Sequence, residues 1–277
     1  MQEVIIDTII DSLKIIPFLL IAFLIIEFFE HKLSNKTEKA IQKAGKLGPL
    51  FGSVLGAIPQ CGFSVLATNL YITRIISLGT LISIYLSTSD EMLPILIAEK
   101  APINSILLFI GIKVIIGLVC GFIIDLIIRK EKPKEHFDIC QEEHCDCEHG
   151  IFLSALKHTI KTLIFIFIIT FILNLAFHYI GEDNIKHIFD NTTIFSPFIA
   201  GLVGLIPNCG SSIILTELYI ADILPFSSAL AGLLAGSGVA LLVLFKSNKN
   251  TKENIKIVSI LYLISIITGI LLEIFGV

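Results

Sequence analysis

Two segments of this chain, "IPQCGFS" from Ile58 and "IPNCGSS" from Ile206, interrupt long apolar stretches with nearly the same polar cluster. Sliding the sequence by 148 positions carries Pro59 onto Pro207 without a gap. The same shift pairs Pro49 with Pro197, Gly56 with Gly204, Cys61 with Cys209, Gly62 with Gly210 and Ser64 with Ser212. It continues through Thr68 with Thr216, Tyr71 with Tyr219, Ser89 with Ser237, Gly121 with Gly269 and Asp125 with Glu273. Chance apolar similarity does not align prolines, cysteines, glycines and acids in one register, so the chain is an internal duplication. It divides into a first repeat (residues 1–128), a linker (129–150) and a second repeat (151–277).

The stretches so interrupted are long enough to cross a bilayer. Runs such as "SILLFIGIKVIIGLVCGFIIDLII" and "IKTLIFIFIITFILNLAF" reach or approach the roughly 20 residues a spanning helix needs. Only 16% of the chain is charged, against about a quarter in soluble domains, which leaves too little polar surface to cover a water-soluble core. The fold class is therefore an all-α polytopic membrane protein. A net charge of −4 without any basic, aromatic-interleaved patch argues for no nucleic-acid partner. The first apolar stretch lacks a basic leader and a small-residue cleavage site, so it reads as a membrane helix.

Basic loops set the orientation. "HKLSNKTEKAIQKAGK", "RKEKPKE" and "KSNKNTKENIK" are lysine-rich and should face the cytoplasm, whereas "GEDNIKHIFDNTT" and the short "EKAP" can lie outside. Each half offers a leading helix, a proline-broken stretch and two further apolar stretches. These are expected at Leu13–Phe29, Pro49–Ile72, Ile75–Ala98 and Ile103–Ile128. In the second half they fall at Ile160–Tyr179, Pro197–Ile220, Ile223–Phe245 and Ile255–Phe275. The sidedness of the loops closes only if Pro49–Ile72 and Pro197–Ile220 are re-entrant hairpins, one entering from each face; a kinked spanning helix is the alternative. The repeats then have inverted topology, with about ten membrane segments when hairpin arms are counted, a layout that points to a secondary transporter.

The candidate site follows from the breaks. Pro59 and Pro207 end the preceding half-helix, and Gly62 and Gly210 open the next, with free N–H groups aimed at a cavity. Gln60, Cys61 and Ser64 are expected to face Asn208, Cys209 and Ser212. Thiols with amide and hydroxyl groups suit a transition metal or a metalloid such as arsenite, although a buried cysteine alone often serves as a small hydrophobe. Asp90 and Glu91, within an apolar segment, are candidates for cation ligation or proton coupling, or else mark the outer surface if that segment ends early. Their counterparts are Gly238 and Val239, so the acids occur once. Glu217 either joins the cavity or marks an interfacial helix end, and Asp125 and Glu273 read as interfacial. In the linker, His144, Cys145, Cys147 and His149 suit zinc or a similar soft metal, or form a solvated acidic tract.

These duplicated motifs, the length and the Cys/His linker running into "HGIFLSALKHT" resemble the ten-transmembrane heavy-metal exporters, whose members carry labels of arsenic efflux protein or manganese transporter. The resemblance spans essentially the whole chain and implies metal or metalloid efflux, with Pro59, Gln60, Cys61, Pro207, Asn208 and Cys209 of interest. The expected function is a secondary active exporter of a divalent transition metal such as manganese or zinc, or of an arsenic species, in the plasma membrane. It works by alternating access, with protons as coupling ion, no required cofactor, and the linker in the cytoplasm. Helix N-termini also favour anions, so a carrier of anionic or small organic-acid substrates is the alternative. A thiol enzyme is disfavoured: neither HExxH nor GxSxG appears, and no Walker A sequence is present for ATP-driven pumping.

Overall fold

The structure, a computed structural model, describes residues 47–57, 61–89, 92–128, 151–180 and 195–275, with scattered helical positions between 9 and 24. All regular structure among the described residues is helical. The first repeat holds α1 (Gly48–Gly56), α2 (Cys61–Ile72), α3 (Leu78–Ser87), α4 (Met92–Ala98) and α5 (Ile103–Ile128). A long helix α6 (Ile151–Ile180) precedes α7 (Ser196–Gly204), α8 (Cys209–Ile220), α9 (Phe226–Ala235), α10 (Ala240–Ser247) and α11 (Thr251–Phe275). Moved by 148 positions, the starts of α1 to α5 coincide with those of α7 to α11 at every helix.

Local bonding repeats with the same register. Pro49 and Pro197 stand in the first turns of α1 and α7, where the missing N–H has no partner to lose. After α2, Arg74 takes a left-handed φ of 61°, and after α8 its counterpart Asp222 takes 55°. The turn N–H groups bond back alike: Ile75 to the carbonyl of Leu70 at 2.8 Å, and Ile223 to that of Leu218 at 3.0 Å.

The expected segments Ile75–Ala98 and Ile223–Phe245 are each interrupted, which corrects the sequence reading. The helical path stops at Ser87 and resumes at Met92; in the second repeat it stops at Ala235 and resumes at Ala240. Thr88 leaves the helix at φ −55°, ψ 128°, and Gly236 at φ −72°, ψ 111°. Gly238 then adopts φ 54°, a conformation that glycine reaches without strain. Apolar residues on both sides hide these breaks from a hydropathy reading. The expected Ile160–Tyr179 helix also begins earlier, at Ile151. Among the described residues, four segments are long and apolar enough to cross a membrane: Leu78–Ala98 and Phe226–Ser247, both running over their breaks, Ile103–Ile128 and Thr251–Phe275.

The two interrupted spans form the centre. All residues from Gly79 to Ser87 in α3 and from Ser227 to Ala235 in α9 are buried. Close approach is built on small residues, as in membrane helix pairs generally. Gly48, Gly52 and Gly56 of α1 lie against Thr80, Ile84 and Ser87 of α3, so these two helices run in the same direction. In contrast, Ser64 and Thr68 of α2 bond to Thr88 and Tyr85, so α2 runs opposite to α3. The chain therefore turns back between α1 and α2. Gly121 of α5 meets Gly79 and Pro49, and its counterpart Gly269 of α11 meets Ser227 and Pro197.

Long helices cover this centre with apolar outer faces. Ile160, Ile164, Ile168 and Ile172 form an exposed stripe along α6, and Leu107, Ile115, Val119 and Ile123 do so along α5. Stripes of this kind suit hydrocarbon rather than water. Lys246 of α10 docks α6 by donating to Thr162 Oγ1 at 2.8 Å.

Between repeats the contacts are exchanged: α2 packs on α10, and its counterpart α8 packs on α4. At the end of α2, Tyr71 donates its hydroxyl to Glu253 at the start of α11. Arg74 joins the same carboxylate through two bonds, at 2.8 and 3.1 Å, with its guanidinium 5.1 Å from the centre of the Tyr71 ring. These bonds hold the Arg74 pKa above its ordinary value. At the end of α8, Tyr219 instead packs edge-on against Phe109, early in α5, with centroids 5.0 Å apart.

Two outcomes follow for stability. A β-carbon at Gly79 or Gly204 would collide with the backbone carbonyl of Gly121 or Gly232, whereas one at Gly111 meets nothing within 4 Å. Gly79→Ala and Gly204→Ala should each cost about 1–3 kcal/mol, and Gly111→Ala should cost nothing, by thermal unfolding of detergent-purified protein. Arg74 and Glu253 side chains are 33% and 17% exposed, so a double-mutant cycle with Arg74→Ala and Glu253→Gln should give a coupling of about 1 kcal/mol or less that shrinks with salt.

Candidate functional site

The motif breaks open directly into helices. The backbone of Cys61 begins α2 and that of Cys209 begins α8, one residue before the expected glycines; Gly62 is buried and Gly210 half-buried. In the second repeat the break runs through Ile206, Pro207 and Asn208. Asn208, 1% exposed and extended at φ −147°, ψ 148°, donates its N–H to the carbonyl of Ile206 at 2.7 Å. Ser211 donates its hydroxyl to the carbonyls of Asn208 at 2.8 Å and of Ile206 at 3.3 Å. It thus satisfies acceptors that the break leaves open, a role the sequence reading missed because its counterpart is Phe63.

Ser64 connects the two kinds of break. Its hydroxyl meets Thr88 Oγ1 at 3.0 Å, placing the first turn of α2 against the end of α3. Next to it, Thr68 Oγ1 shares a 2.6 Å bond with the hydroxyl of Tyr85. Thr88 also donates to Ile84 O at 2.7 Å, and Ser89 to Ser87 O at 3.3 Å. The counterparts of Thr88 and Tyr85 are Gly236 and Leu233, so this hydroxyl network belongs to the first repeat alone. Ser212 is buried and its carbonyl accepts from Thr216 Oγ1 at 2.7 Å, as that of Ser64 does from Thr68.

In the second repeat the corresponding break keeps Ser237 fully buried, its hydroxyl without a hydrogen-bond partner. The amide nitrogen of Asn69 in α2, 1% exposed, is likewise unsatisfied. Such groups cost about 1–3 kcal/mol each when buried, so their retention marks a place where a ligand or water can bond.

A residue the sequence reading passed over sits between the repeats. Lys113, eleven residues into the apolar α5, is 1% exposed and donates from Nζ to the carbonyl of Leu233 at 2.6 Å. Leu233 belongs to the last turn of α9, where helix carbonyls carry partial negative charge. The signal was available: a lysine in the middle of "FIGIKVIIG" is expensive in a membrane helix and functional by default. Its counterpart is Leu261.

Other expected residues lie elsewhere. Glu217 is exposed on α8, outside the buried interior. Asp125 accepts from Ser77 Oγ at 2.7 Å and from the Gly79 N–H at 2.9 Å, so it closes the start of α3; Glu273 is exposed. Pro59, Gln60, Asp90, Glu91 and the linker with His144, Cys145, Cys147 and His149 lie outside the described residues, as do the side chains of Cys61 and Cys209. The neighbours of the two acids in the chain, Ser89 and Met92, are buried. Among the described residues, no three His, Cys, Asp or Glu side chains come together to hold a metal.

Chemically, the breaks expose both poles of short helices: the N–H ends of α2 and α8 and the carbonyl ends of α3 and α9. Hydroxyls, an amide and one ammonium stand beside them, an arrangement able to exchange hydration for protein groups. No curated protein and no solved structure matches the chain. A family described as "Putative, 10TM heavy-metal exporter" matches over residues 1–177 and 164–276, nearly its whole length. The chain therefore belongs to this family of heavy-metal exporters, as a helical protein of the membrane.

Proposed function

We propose that the protein is a secondary active exporter of a heavy-metal ion or metalloid, moved by alternating access between two repeats of opposite topology. The exchanged contacts carry this reading. The end of α2 meets the start of α11, and the end of α8 meets the early part of α5, whose counterpart is α11. Within the first repeat, α5 runs opposite to α3, since Gly117 lies against Ser83 and Gly121 against Gly79. Phe109 and Lys113 of α5 meet Phe226 and Leu233 of α9 in that order, so α5 runs with α9 but against α3, and opposed α3 and α9 support an inverted pair.

The re-entrant hairpins draw support from length and direction. At 1.5 Å per residue, α1 and α2 are about 13 and 18 Å long, short of the roughly 30 Å hydrocarbon core. They also run in opposite directions along α3. In this reading Gln60, Cys61 and Asn208, Cys209 meet at the tips and ligate the substrate, and the hydroxyls of Ser64 and Ser212 support them. Asp90 and Glu91 supply negative charge and carry the coupling proton. The linker, on the cytoplasmic side of the plasma membrane, loads or senses the metal through His144, Cys145, Cys147 and His149. Thiol ligands favour zinc or arsenite, and carboxylates favour manganese.

A second reading, a carrier of anionic substrates, is favoured by the N–H ends of the short helices α2 and α8, which open at the motif breaks and attract anions. Proteoliposomes separate the two. Under a pH gradient, wild-type protein should move Mn²⁺, Zn²⁺ or arsenite. Cys61→Ser with Cys209→Ser should lower zinc or arsenite flux about tenfold or more, and Asp90→Asn should uncouple flux from the gradient. Folded protein that moves none of these ions, but moves carboxylates, would establish the anion carrier instead.

A further inference from the structure

Lys113 is the one charged side chain among the described residues buried to 1% in the middle of a long apolar helix. The carbonyl of Leu233, one of the groups it meets, is not a chance acceptor. α9 ends at Ala235, and Gly232 O already accepts from the N–H of Gly236 at 3.0 Å. The next carbonyl along, that of Leu233, is turned to a cation instead, at 2.6 Å. In an apolar interior the end of a ten-residue helix gathers partial negative charge that has no water to spread into. Four residues beyond Leu233, at the same helix end, Ser237 keeps a fully buried hydroxyl without a partner, and Gly238 holds the chain open at φ 54°. The carbonyl end of α9 is therefore a seat for a cation with a spare oxygen nearby, and in this structure the lysine occupies it.

We propose that Lys113 is a resident cation of the transport site: its ammonium holds the carbonyl end of α9 until an incoming metal cation takes that seat. This inference rests on the exporter reading and deepens it by assigning the substrate a positive charge and naming a residue that sets its affinity. A lysine suits the role because its charge is compact and its four-carbon stem is flexible, so the ammonium can withdraw without moving a helix. A metal ion and the ammonium repel each other at this range, so both cannot stay seated, and the exchange lets bound metal be released again. Position 113 pairs with Leu261, so the lysine exists in one repeat only. That asymmetry gives two otherwise matched repeats different affinities for the same ion.

The test uses full-length protein in detergent with Mn²⁺ and Zn²⁺ as probes, followed by proteoliposome flux. Lys113→Gln and Lys113→Met remove the charge; Lys113→Arg keeps it. Removing the charge should tighten binding of at least one probe ion about tenfold or more and slow its net flux, while Lys113→Arg keeps near wild-type affinity. Wild-type affinity in monodisperse Lys113→Gln and Lys113→Met, or weaker binding in either, overturns the resident cation and leaves the exporter reading standing. Should the Gln variant fail to fold, the Met and Arg variants decide by the same comparison. Wild-type protein that neither binds nor moves any metal defeats the exporter reading itself, and this inference with it.

Discussion

An interrupted helix inside hydrocarbon must have its free N–H and C=O groups satisfied by protein, and the architecture is arranged around that requirement. Two spans are cut at Ser87 and Ala235, and both lie where no face of the helix is open, enclosed by α1, α2 and α5 or their counterparts. Several loose ends among the described residues find partners. Ile84 O accepts from Thr88, Asn208 O from Ser211, and Leu233 O from Lys113, while Asp125 closes the start of α3. The intact helices, α5, α6 and α11, are left on the outside, where their isoleucine and leucine stripes cost nothing in lipid. Burial of the breaks in turn demands close backbone approach, which explains glycine at positions 79, 121, 204 and 232.

Duplication supplies the frame and divergence supplies the chemistry. Helix starts and turn hydrogen bonds repeat to the residue, so the backbone has been kept. The polar groups have not. Ser64–Thr88 and Thr68–Tyr85 face Gly236 and Leu233 at the equivalent places, Lys113 faces Leu261, and Arg74–Glu253 is replaced by an aromatic contact of Tyr219 with Phe109. Under the alternating access proposed above, a symmetric frame would give two states of equal geometry, and unequal groups at equivalent positions would make those states bind and close differently.

How legible this was depended on what kind of signal each feature leaves. The repeat, the first pair of breaks and the helix starts were readable because proline and glycine act locally and recur 148 positions apart. The second pair of breaks was not, although "STSDE" and "AGSGVA" carry hydroxyls and glycines. Flanking leucines, isoleucines and valines made each look like part of one continuous span. Ser211 was invisible by repeat matching, since Phe63 stands opposite it. Lys113 is legible by charge alone and leaves no trace in the repeat, since its counterpart is Leu261. Sequence spacing finds what duplication preserved; the departures from it, where the two repeats specialise, need contacts.

Those departures are also placed unevenly along the molecule. The ion pair of Arg74 with Glu253 and the aromatic contact of Tyr219 with Phe109 each join the end of a short helix in one repeat to the early part of a long helix in the other. One contact is exposed enough to exchange with water; the other is apolar and anchored on fully buried Phe109. Breaking the first replaces protein hydrogen bonds by water at modest cost, while breaking the second must expose ring surface. In the proposed rocking of two inverted repeats, the pole joined by Arg74 and Glu253 would therefore open more readily, and the aromatic pole would be the stiffer hinge. The two helical halves need not differ in fold for the transporter to have a preferred resting side; a difference in what closes each pole is sufficient.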